Sequence, residues 1–450
     1  MIKWLLAWRY FFKRPISILA VVAVALCVFI VLVVMTVMNG LVRDFKQKNH
    51  DYAGDCIIEC DSLVGFGYYE DLIELLKNQS YVEAVSPVAK GVGLIHLKGY
   101  NWDSAIEIHG IDPVLHSQVT SFEETLHYQK QTIQNAFQPQ YAPQLDGCIT
   151  GIDLNPFSNR NSDGTYTFFD RPIEIELLIN TFPLNIKGGL QRSIDMVSTK
   201  IFYYSDDSHS GLVKVDGMVV YVPLEQAQAL CGMDIPIKRI SSLHIKFREG
   251  ASERASVEKV RRLWAEYAAQ NADKPGGDLF ANVRVQSWQE NRRSTIAPME
   301  KEQTMMTMLF LMLGVITVFI VFVVLYMIIS HKSKDIGILK SIGVSLSGIV
   351  WMFLLFSVFI ALIGALVGSA AGWTFLYKIN DIEAWLYEHY NWQLWDRSVY
   401  AIGKIPNTVE PDVLASIIGS AILACMIGAV VPSLQAARKR PVQSLQVNQL

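Results

Sequence analysis

The chain has 450 residues, of which 51% are hydrophobic and 18% are charged, and its formal net charge is −3. A charge this small, without a basic tract interleaved with aromatic residues, excludes the class of proteins that bind nucleic acid electrostatically. The apolar excess is concentrated in four long uncharged windows, which indicates a membrane protein rather than a water-soluble one.

The chain starts with a basic segment, residues 1–15, followed by a first transmembrane helix predicted over residues 16–40. The segment carries four basic residues and no acidic one: Lys3, Arg9, Lys13 and Arg14. Because Lys and Arg accumulate on cytoplasmic flanks, the N-terminus is predicted to be cytoplasmic. A cleaved signal peptide is the alternative, but its apolar region usually has about 7 to 15 residues, whereas this one extends from Ile16 to Met38.

Residues 41–303 are predicted to form one large extracytoplasmic domain. Alternating and helical apolar patterns predict a split α/β part over residues 50–113 and 240–290. The intervening residues 114–238 are predicted as a β-rich insertion. The domain contains no GxSxG or HExxH motif, and the whole chain lacks the GxxxxGK[ST] phosphate loop. We therefore expect a protein that is not an enzyme and that depends on another chain for any ATP hydrolysis.

Four cysteines fall in this domain, where disulfides can form: Cys56, Cys60, Cys148 and Cys231. Cys56 and Cys60 are four residues apart in a predicted strand, which places them too far apart to bond each other. A disulfide from either of them to Cys148 or Cys231 remains an alternative. No histidine is spaced to join them, so no metal site is predicted.

The second transmembrane helix is predicted over residues 304–330. Met305, Met308 and Met312 follow a helical spacing at its outer end, and Met35 and Met38 lie at the outer end of the first span. Methionine side chains are flexible and polarizable, so a surface made of them adapts to varied apolar ligands. Two interpretations remain: ordinary packing or lipid-facing methionines, or an apolar pocket open to the outer leaflet.

Residues 331–347 connect the second and third spans and contain the stretch "SKDIGILKSIGVS". On a helix, Ile336, Leu339 and Ile342 with Gly343 share one face, and Lys334, Asp335 and Lys340 lie toward the other. Such a short amphipathic helix is suited to a groove in a soluble partner. A helix resting among lipid headgroups is the alternative.

The third span is predicted over 348–377, an outer loop over 378–411, the fourth span over 412–432 and a basic cytoplasmic tail over 433–450. Gly364, Gly368 and Gly372 recur at a spacing of four, and small residues on one face let membrane helices approach closely. We expect these glycines to pack helices, with a channel lining as the alternative. The fold class is thus an α-helical membrane protein with four transmembrane helices (1+3) and a large α+β extracytoplasmic domain between helices 1 and 2.

Three short motifs carry a resemblance to a known protein family: "VMTVMNGLVRDF" at 34–45, "KSKDIGILKSIGVS" at 332–345 and "VPSLQAARKRPVQSLQ" at 431–446. With them the chain resembles the FtsX-like/MacB-like ABC transporter permeases, which include lipoprotein-releasing, macrolide-efflux and cell-division members. The resemblance is closest to the lipoprotein-releasing branch. The stretch "FSNRNSDGTYTFFDRP" at 157–172 and the four outward cysteines depart from the pattern of that branch.

The resemblance implies an inner-membrane protein with both termini cytoplasmic and the large domain periplasmic. It implies that the segment with Lys334, Asp335, Ile336, Leu339, Ile342 and Gly343 couples to an ABC ATPase subunit, which binds ATP and Mg while the permease binds no cofactor itself. It also implies a second permease, either a copy or a paralogue, and acyl chains held near Met35, Met38, Met305, Met308 and Met312. A periplasmic carrier would contact a protruding loop, for which residues 180–191 are the nearest candidate.

The leading functional hypothesis is a permease subunit for ATP-driven extraction of lipoproteins from the inner membrane toward a periplasmic carrier. Two alternatives stand beside it. The first is a cell-division-type scaffold that transmits the conformational change of the ATPase to an extracytoplasmic hydrolase. The second is efflux of small amphiphiles.

Overall fold

The computed structural model describes residues 15–161, 165–190, 197–331, 333–390, 392 and 404–438, without the side chains of 15–17, 159–160, 331 and 333–335. The predicted cytoplasmic ends, 1–14 and 439–450, lie outside the described residues. The chain divides into two compact units. The helical unit comprises Met1–Arg43, Pro298–Leu394 and Ile405–Leu450, and the sheet unit comprises Asp44–Ala297 and Trp395–Lys404.

The helices and strands follow one another along the chain as two numbered series. The α-helices are α1 (Pro15–Ala53), α2 (Tyr69–Lys77), α3 (Pro113–Val119), α4 (Phe122–Thr125), α5 (Val213–Met218), α6 (Leu224–Cys231), α7 (Glu253–Asn271), α8 (Trp288–Asn291), α9 (Arg293–His331), α10 (Ser333–Ser341), α11 (Leu346–Tyr390) and α12 (Pro411–Arg438). The strands are β1 (Cys56–Cys60), β2 (Phe66–Gly67), β3 (Val82–Leu97), β4 (Asp103–Ile111), β5 (Gly147–Gly151), β6 (Asn159–Arg160), β7 (Tyr166–Thr167), β8 (Glu176–Thr181), β9 (Ser198–Ser208), β10 (Val219–Pro223), β11 (Arg239–Ile240), β12 (Ser242–Phe247) and β13 (Val283–Ser287).

Four of these helices, α1, α9, α11 and α12, are long and apolar enough to cross a membrane. Their shared core includes Val24 and Leu32 of α1, Leu325 of α9, Ile360 of α11 and Cys425 of α12. In chain order, one such helix precedes the large inserted domain and three follow it.

All four of these helices are longer than the sequence predicted: α1 ends at Ala53 instead of 40, and α12 ends at Arg438 instead of 432. Helix α9 begins at Arg293 instead of 304, and α11 continues to Tyr390 through the first part of the predicted outer loop 378–411. No glycine or proline interrupts residues 378–390, so nothing in the backbone stops the helix where the apolar window ends. Ile379 in this extension also stays buried.

The sheet unit is built on nine strands in the order β13-β1-β12-β3-β4-β10-β5-β9-β8, and β8 also pairs with β3. This additional pairing closes β3, β4, β10, β5, β9 and β8 into a barrel. The long strand β3 belongs to both parts, because Val88 pairs with Ser242 of β12 and Ile95 pairs with Ile179 of β8. The strands of the predicted insertion 114–238 therefore complete one sheet with those of the split α/β part.

The two largest hydrophobic cores of the sheet unit occupy different parts of it. One fills the barrel and includes Ile95, Ile108, Ile179, Phe202 and Val220. The other lies between the remaining strands and helices α2 and α7, whose apolar faces contribute Leu72, Leu76, Val260 and Trp264. Burying such side chains contributes about 1.5 to 3 kcal/mol each, so both cores hold the unit together.

Candidate functional site

The amphipathic segment between the second and third long helices forms helix α10, Ser333–Ser341. Gly343, in the turn after this helix, has a φ of 95°, a left-handed conformation that residues other than glycine rarely adopt. The Gly343 N–H donates to Lys340 O at 3.0 Å and the Val344 N–H donates to Leu339 O at 3.1 Å, which closes the helix. Gly343 thus has a backbone role in this segment.

The exposed apolar face of α10 differs from the one that the helical pattern indicates. Ile336 is 3% exposed and Leu339 is half-buried, and both pack into the helical unit together with Ile329, Ile349, Met352, Phe353, Ala436 and Ala437. Ile342, by contrast, is 76% exposed. Ile338 on α10 and Leu346, the first residue of α11, are exposed as well, and Ile342 lies between them in the turn that follows α10. The side chains of Lys334 and Asp335 lie outside the described residues.

Sequence reasoning missed Ile338 and Leu346 as members of this exposed face. Their spacing with Ile342 was visible in the sequence, but so was the competing set Ile336, Leu339 and Ile342. Only the packing of Ile336 against the neighbouring long helices decides between the two. The exposed row that a soluble partner can reach is therefore Ile338, Ile342 and Leu346.

The predicted methionine cluster occupies α1 and α9. A hydrogen bond of 2.8 Å from Gln303 Nε2 to Asn39 Oδ1 joins these helices, next to Met38 and close to Met305 in sequence. Met35 and Met38 are half-buried on α1. On α9 the methionines are exposed and begin an apolar stripe that continues along the helix: Met305, Met308, Met312, Ile316, Phe319, Val323 and Tyr326. One face of α9 thus presents apolar side chains outward from the helical unit.

The three glycines of α11 lie against α1. Gly364 faces Val24, Gly368 faces Ala25 and Val28, and Gly372 faces Leu32. A Cβ atom would lie 2.8 Å from Val24 Cβ at position 364 and 3.0 Å from Val28 Cβ at position 368. Both distances are below an ordinary carbon–carbon contact of about 3.5 to 4.0 Å. The absence of side chains at these positions is therefore what allows the two helices to approach so closely.

The four cysteines of the sheet unit are buried free thiols. Cys56 and Cys60 lie in the core under α2 and α7, and Cys148 and Cys231 lie in the barrel core. Burial raises the pKa of the Cys56 and Cys231 thiols to about 12. Among the described residues no group of three His, Cys, Asp or Glu is placed to hold a metal ion.

The candidate carrier-binding loop is described as far as Leu190. Leu184 and Leu190 form an isolated bridge, and the side-chain oxygen of Asn185 accepts hydrogen bonds from the backbone N–H groups of Lys187 and Gly189. The buried guanidinium of Arg239 donates to Leu184 O at the base of the loop. The loop exposes the large apolar residues Phe182 and Leu190.

Comparison with known proteins places these features in a family context. Residues 307–441 match the family described as FtsX-like permease C-terminal. The "Lipoprotein-releasing system transmembrane protein LolC" of Neisseria meningitidis serogroup B is 20% identical over 449 residues, which cover 97% of this chain and 95% of that protein. The LolC protein of Xylella fastidiosa strain 9a5c is 25% identical over 163 residues, 36% of this chain and 39% of that protein.

Two solved domain structures align weakly with this chain. The periplasmic region of MacB from Actinobacillus actinomycetemcomitans aligns with a TM-score of 0.30 and 11% identity, covering 55% of this chain and 95% of that chain. A permease domain from Porphyromonas gingivalis aligns with a TM-score of 0.27 and 13% identity, covering 53% of this chain and 90% of that chain. These TM-scores are too low to establish a common fold.

The permease match covers α10 to α12 and most of α9, and the similarity to the Neisseria LolC protein includes the sheet unit as well. Permeases of this kind are transmembrane subunits and not ATPases, in keeping with a sequence that lacks a phosphate loop. The chain thus has four long apolar helices, one large inserted domain and a segment, residues 307–441, that matches the FtsX-like permease C-terminal family.

Proposed function

We propose that this permease is the membrane subunit of a complex that uses ATP to extract lipoproteins from the inner membrane toward a periplasmic carrier. The observation that carries the proposal is the similarity to a LolC protein over 97% of this chain and 95% of the relative. A shared permease domain alone would fit many kinds of cargo. Similarity through the sheet unit as well favours lipoprotein release.

Extraction of this kind needs an energy source. Each methylene group that leaves the bilayer for water costs about 0.8 kcal/mol, so an acyl chain of about 15 methylenes costs on the order of 12 kcal/mol. A carrier lowers that cost, but the chain must still leave the membrane. ATP and Mg bound to a partner ATPase would supply the energy.

The exposed row Ile338, Ile342 and Leu346 is the proposed contact with that ATPase. Exposed apolar side chains on and just after a short helix are a feature that a groove in a soluble partner recognises. The helix is fixed to the permease from its other side, because Ile336 packs against Ile349 and Phe353. A push on the exposed row would therefore be transmitted to α9 and α11, the long helices on either side of α10.

The exposed methionines of α9 are the proposed contact with the acyl chains. Met305 lies two residues after Gln303, which hydrogen-bonds to Asn39 beside Met38 of α1, and the exposed side chains of Met305, Met308 and Met312 can adapt to an alkyl chain. The proposed orientation, with both termini cytoplasmic, puts this end of α9 at the outer leaflet.

Crosslinking at matched exposure tests this site. A photoreactive amino acid replaces Met308, which is 65% exposed, or Tyr326, which is 53% exposed on the same apolar stripe. The two positions are about 27 Å apart along the helix at 1.5 Å per residue. We expect capture of a diacylated or triacylated lipoprotein at Met308 and not at Tyr326. Equal capture at both positions, or capture at neither, would contradict an outer-leaflet acyl site.

A further inference from the structure

Three buried histidines form a cluster in the sheet unit at the end of α1. His109 lies on β4, His116 on α3 and His244 on β12. The ring centroids of His116 and His244 are 5.7 Å apart. Phe122 and Tyr221 connect His116 to His109 through centroid distances of 5.6, 4.9 and 5.8 Å. The three imidazoles thus belong to one continuous aromatic layer.

This layer holds the last two residues of α1. The Tyr52 hydroxyl is 3.2 Å from His109 Nδ1, and His244 Nδ1 is 2.8 Å from the Ala53 carbonyl oxygen. Because a carbonyl only accepts hydrogen bonds, His244 Nδ1 carries a proton and Nε2 is bare in the neutral ring. His244 Nε2 is buried and finds no hydrogen-bond partner among the described residues. A second proton on this ring, at Nε2, would therefore have no hydrogen-bond acceptor.

The charges around the cluster also disfavour protonation. Lys90 of β3 and Arg292, which follows α8, are the cations that face it, and the Arg292 guanidinium lies 4.5 Å above the ring of Tyr52. Three groups of carboxylates lie nearby: Glu107 has its Oε2 3.8 Å from His109 Nε2 and also pairs with Lys214, Glu59 pairs with Lys90, and Asp51 and Glu124 line the cavity beside His116. His116 and His244 themselves hydrogen-bond to uncharged partners, the Ser86 hydroxyl and the Ala53 carbonyl oxygen.

Burial is the main cause of the resulting pKa values. Desolvation, together with His109 and Lys90, lowers the pKa of His116 to about 3. Desolvation, together with His116 and Lys90, puts the pKa of His244 well below its ordinary value. His50, one turn earlier on α1, behaves oppositely, because its hydrogen bond to Asp55 raises its pKa. His116 and His244 are therefore neutral while buried and become basic when exposed.

We propose that His109, His116 and His244 form an acid-sensitive latch, which holds the end of α1 against the sheet at neutral pH and releases it in acid. Opening the latch exposes imidazoles that take up protons below their ordinary pKa of about 6.5. At pH 5, proton uptake by each of His116 and His244 favours the open form by roughly 25-fold relative to pH 7, and by several hundred-fold for both together. Because the pKa values of these histidines are lowered in the closed form, the closed form loses stability as the pH falls.

Hydrogen exchange of the full-length permease in lipid nanodiscs tests the latch. The backbone amides of residues 48–55 are followed at pH 5 and pH 7, and each rate is divided by the intrinsic exchange rate at that pH. We expect these amides to open several hundred-fold more often at pH 5. The variant His116→Asn/His244→Asn keeps an amide donor near each Nδ1 position but does not titrate, and it should show no such acceleration.

The control is His96→Asn, because His96 is exposed and paired with Asp103 outside the cluster. This variant should behave like the wild type. If the double variant does not fold, each single variant should lose one factor of roughly 25 from the acceleration. A wild type without acceleration at pH 5, or variants that accelerate as much as the wild type, would overturn the latch.

Discussion

The close contact of α11 with α1 makes Gly368→Val the most direct perturbation of the helical unit. A Cβ at position 368 would contact the Ala25 carbonyl oxygen and lie 3.0 Å from Val28 Cβ, and backbone atoms of α1 cannot move aside as a flexible side chain can. The helices would have to separate by roughly 0.5 to 1 Å to restore ordinary contact distances. Overpacking of this kind costs about 1 to 3 kcal/mol.

A matched control lies on the fourth long helix. A Cβ at Gly419 of α12 would meet nothing within 4 Å, so Gly419→Val should change stability by less than about 0.5 kcal/mol. The assay is the free energy of unfolding in lipid, measured by steric trapping with the same tag positions in both variants. Equal losses for the two variants, or a larger loss at Gly419, would refute the packing role of the α11 glycines.

Two further predictions concern the coupling helix and the cysteines. Ile342→Asp should abolish co-purification of the partner ATPase without lowering the melting temperature of the permease, because Ile342 is exposed. Ile336→Asp should lower that temperature, because it buries a carboxylate at a cost of several kcal/mol. If neither variant lost the ATPase, the proposed docking row would be contradicted. Cys56 and Cys231, which are buried and have a pKa of about 12, should resist iodoacetamide at pH 7.5 in the folded protein and react once it is unfolded. Rapid labelling of the native protein would contradict their burial.

Periodicity and composition predicted the long helices because lipid imposes one strong rule on sequence, a run of apolar residues long enough to span the core. The ends of these helices were harder to predict. Helix α11 continues past Tyr377 because residues 378–390 favour a helix whether or not lipid surrounds them. Hydropathy indicates whether a segment is surrounded by lipid or by water and says nothing about backbone conformation, so it does not predict where such a helix ends.

The candidate docking face shows a different limit of sequence reasoning. On a continuous helix Ile336, Leu339 and Ile342 would form one apolar stripe and Ile338, Ile342 and Leu346 a second, but the structure ends α10 at Ser341 and begins α11 at Leu346. Which stripe is exposed depends on the partners of Ile336 on α11 and α12, which are close in space and distant in sequence. The closure of the barrel through β3 and β8 is similarly non-local, because these strands are separated by most of the domain's first half.

Local sequence patterns also could not predict the histidine cluster. His109, His116 and His244 have no shared sequence motif, and each lies on a different element. They come together because β4, α3 and β12 pack around the end of α1. A spacing rule detects residues that share one helix or strand, whereas this cluster has one residue from each of three elements.

The central claim is tested most directly by reconstituting the permease with its ATPase in liposomes that contain an acylated lipoprotein, and by measuring release into solution when ATP and a periplasmic carrier are added. The account predicts release that requires ATP, that fails with Ile342→Asp, and that persists with Lys340→Gln, a nearby change on α10 outside the exposed apolar row. Release without ATP, or an active complex that hydrolyses ATP and frees no lipoprotein, would contradict it.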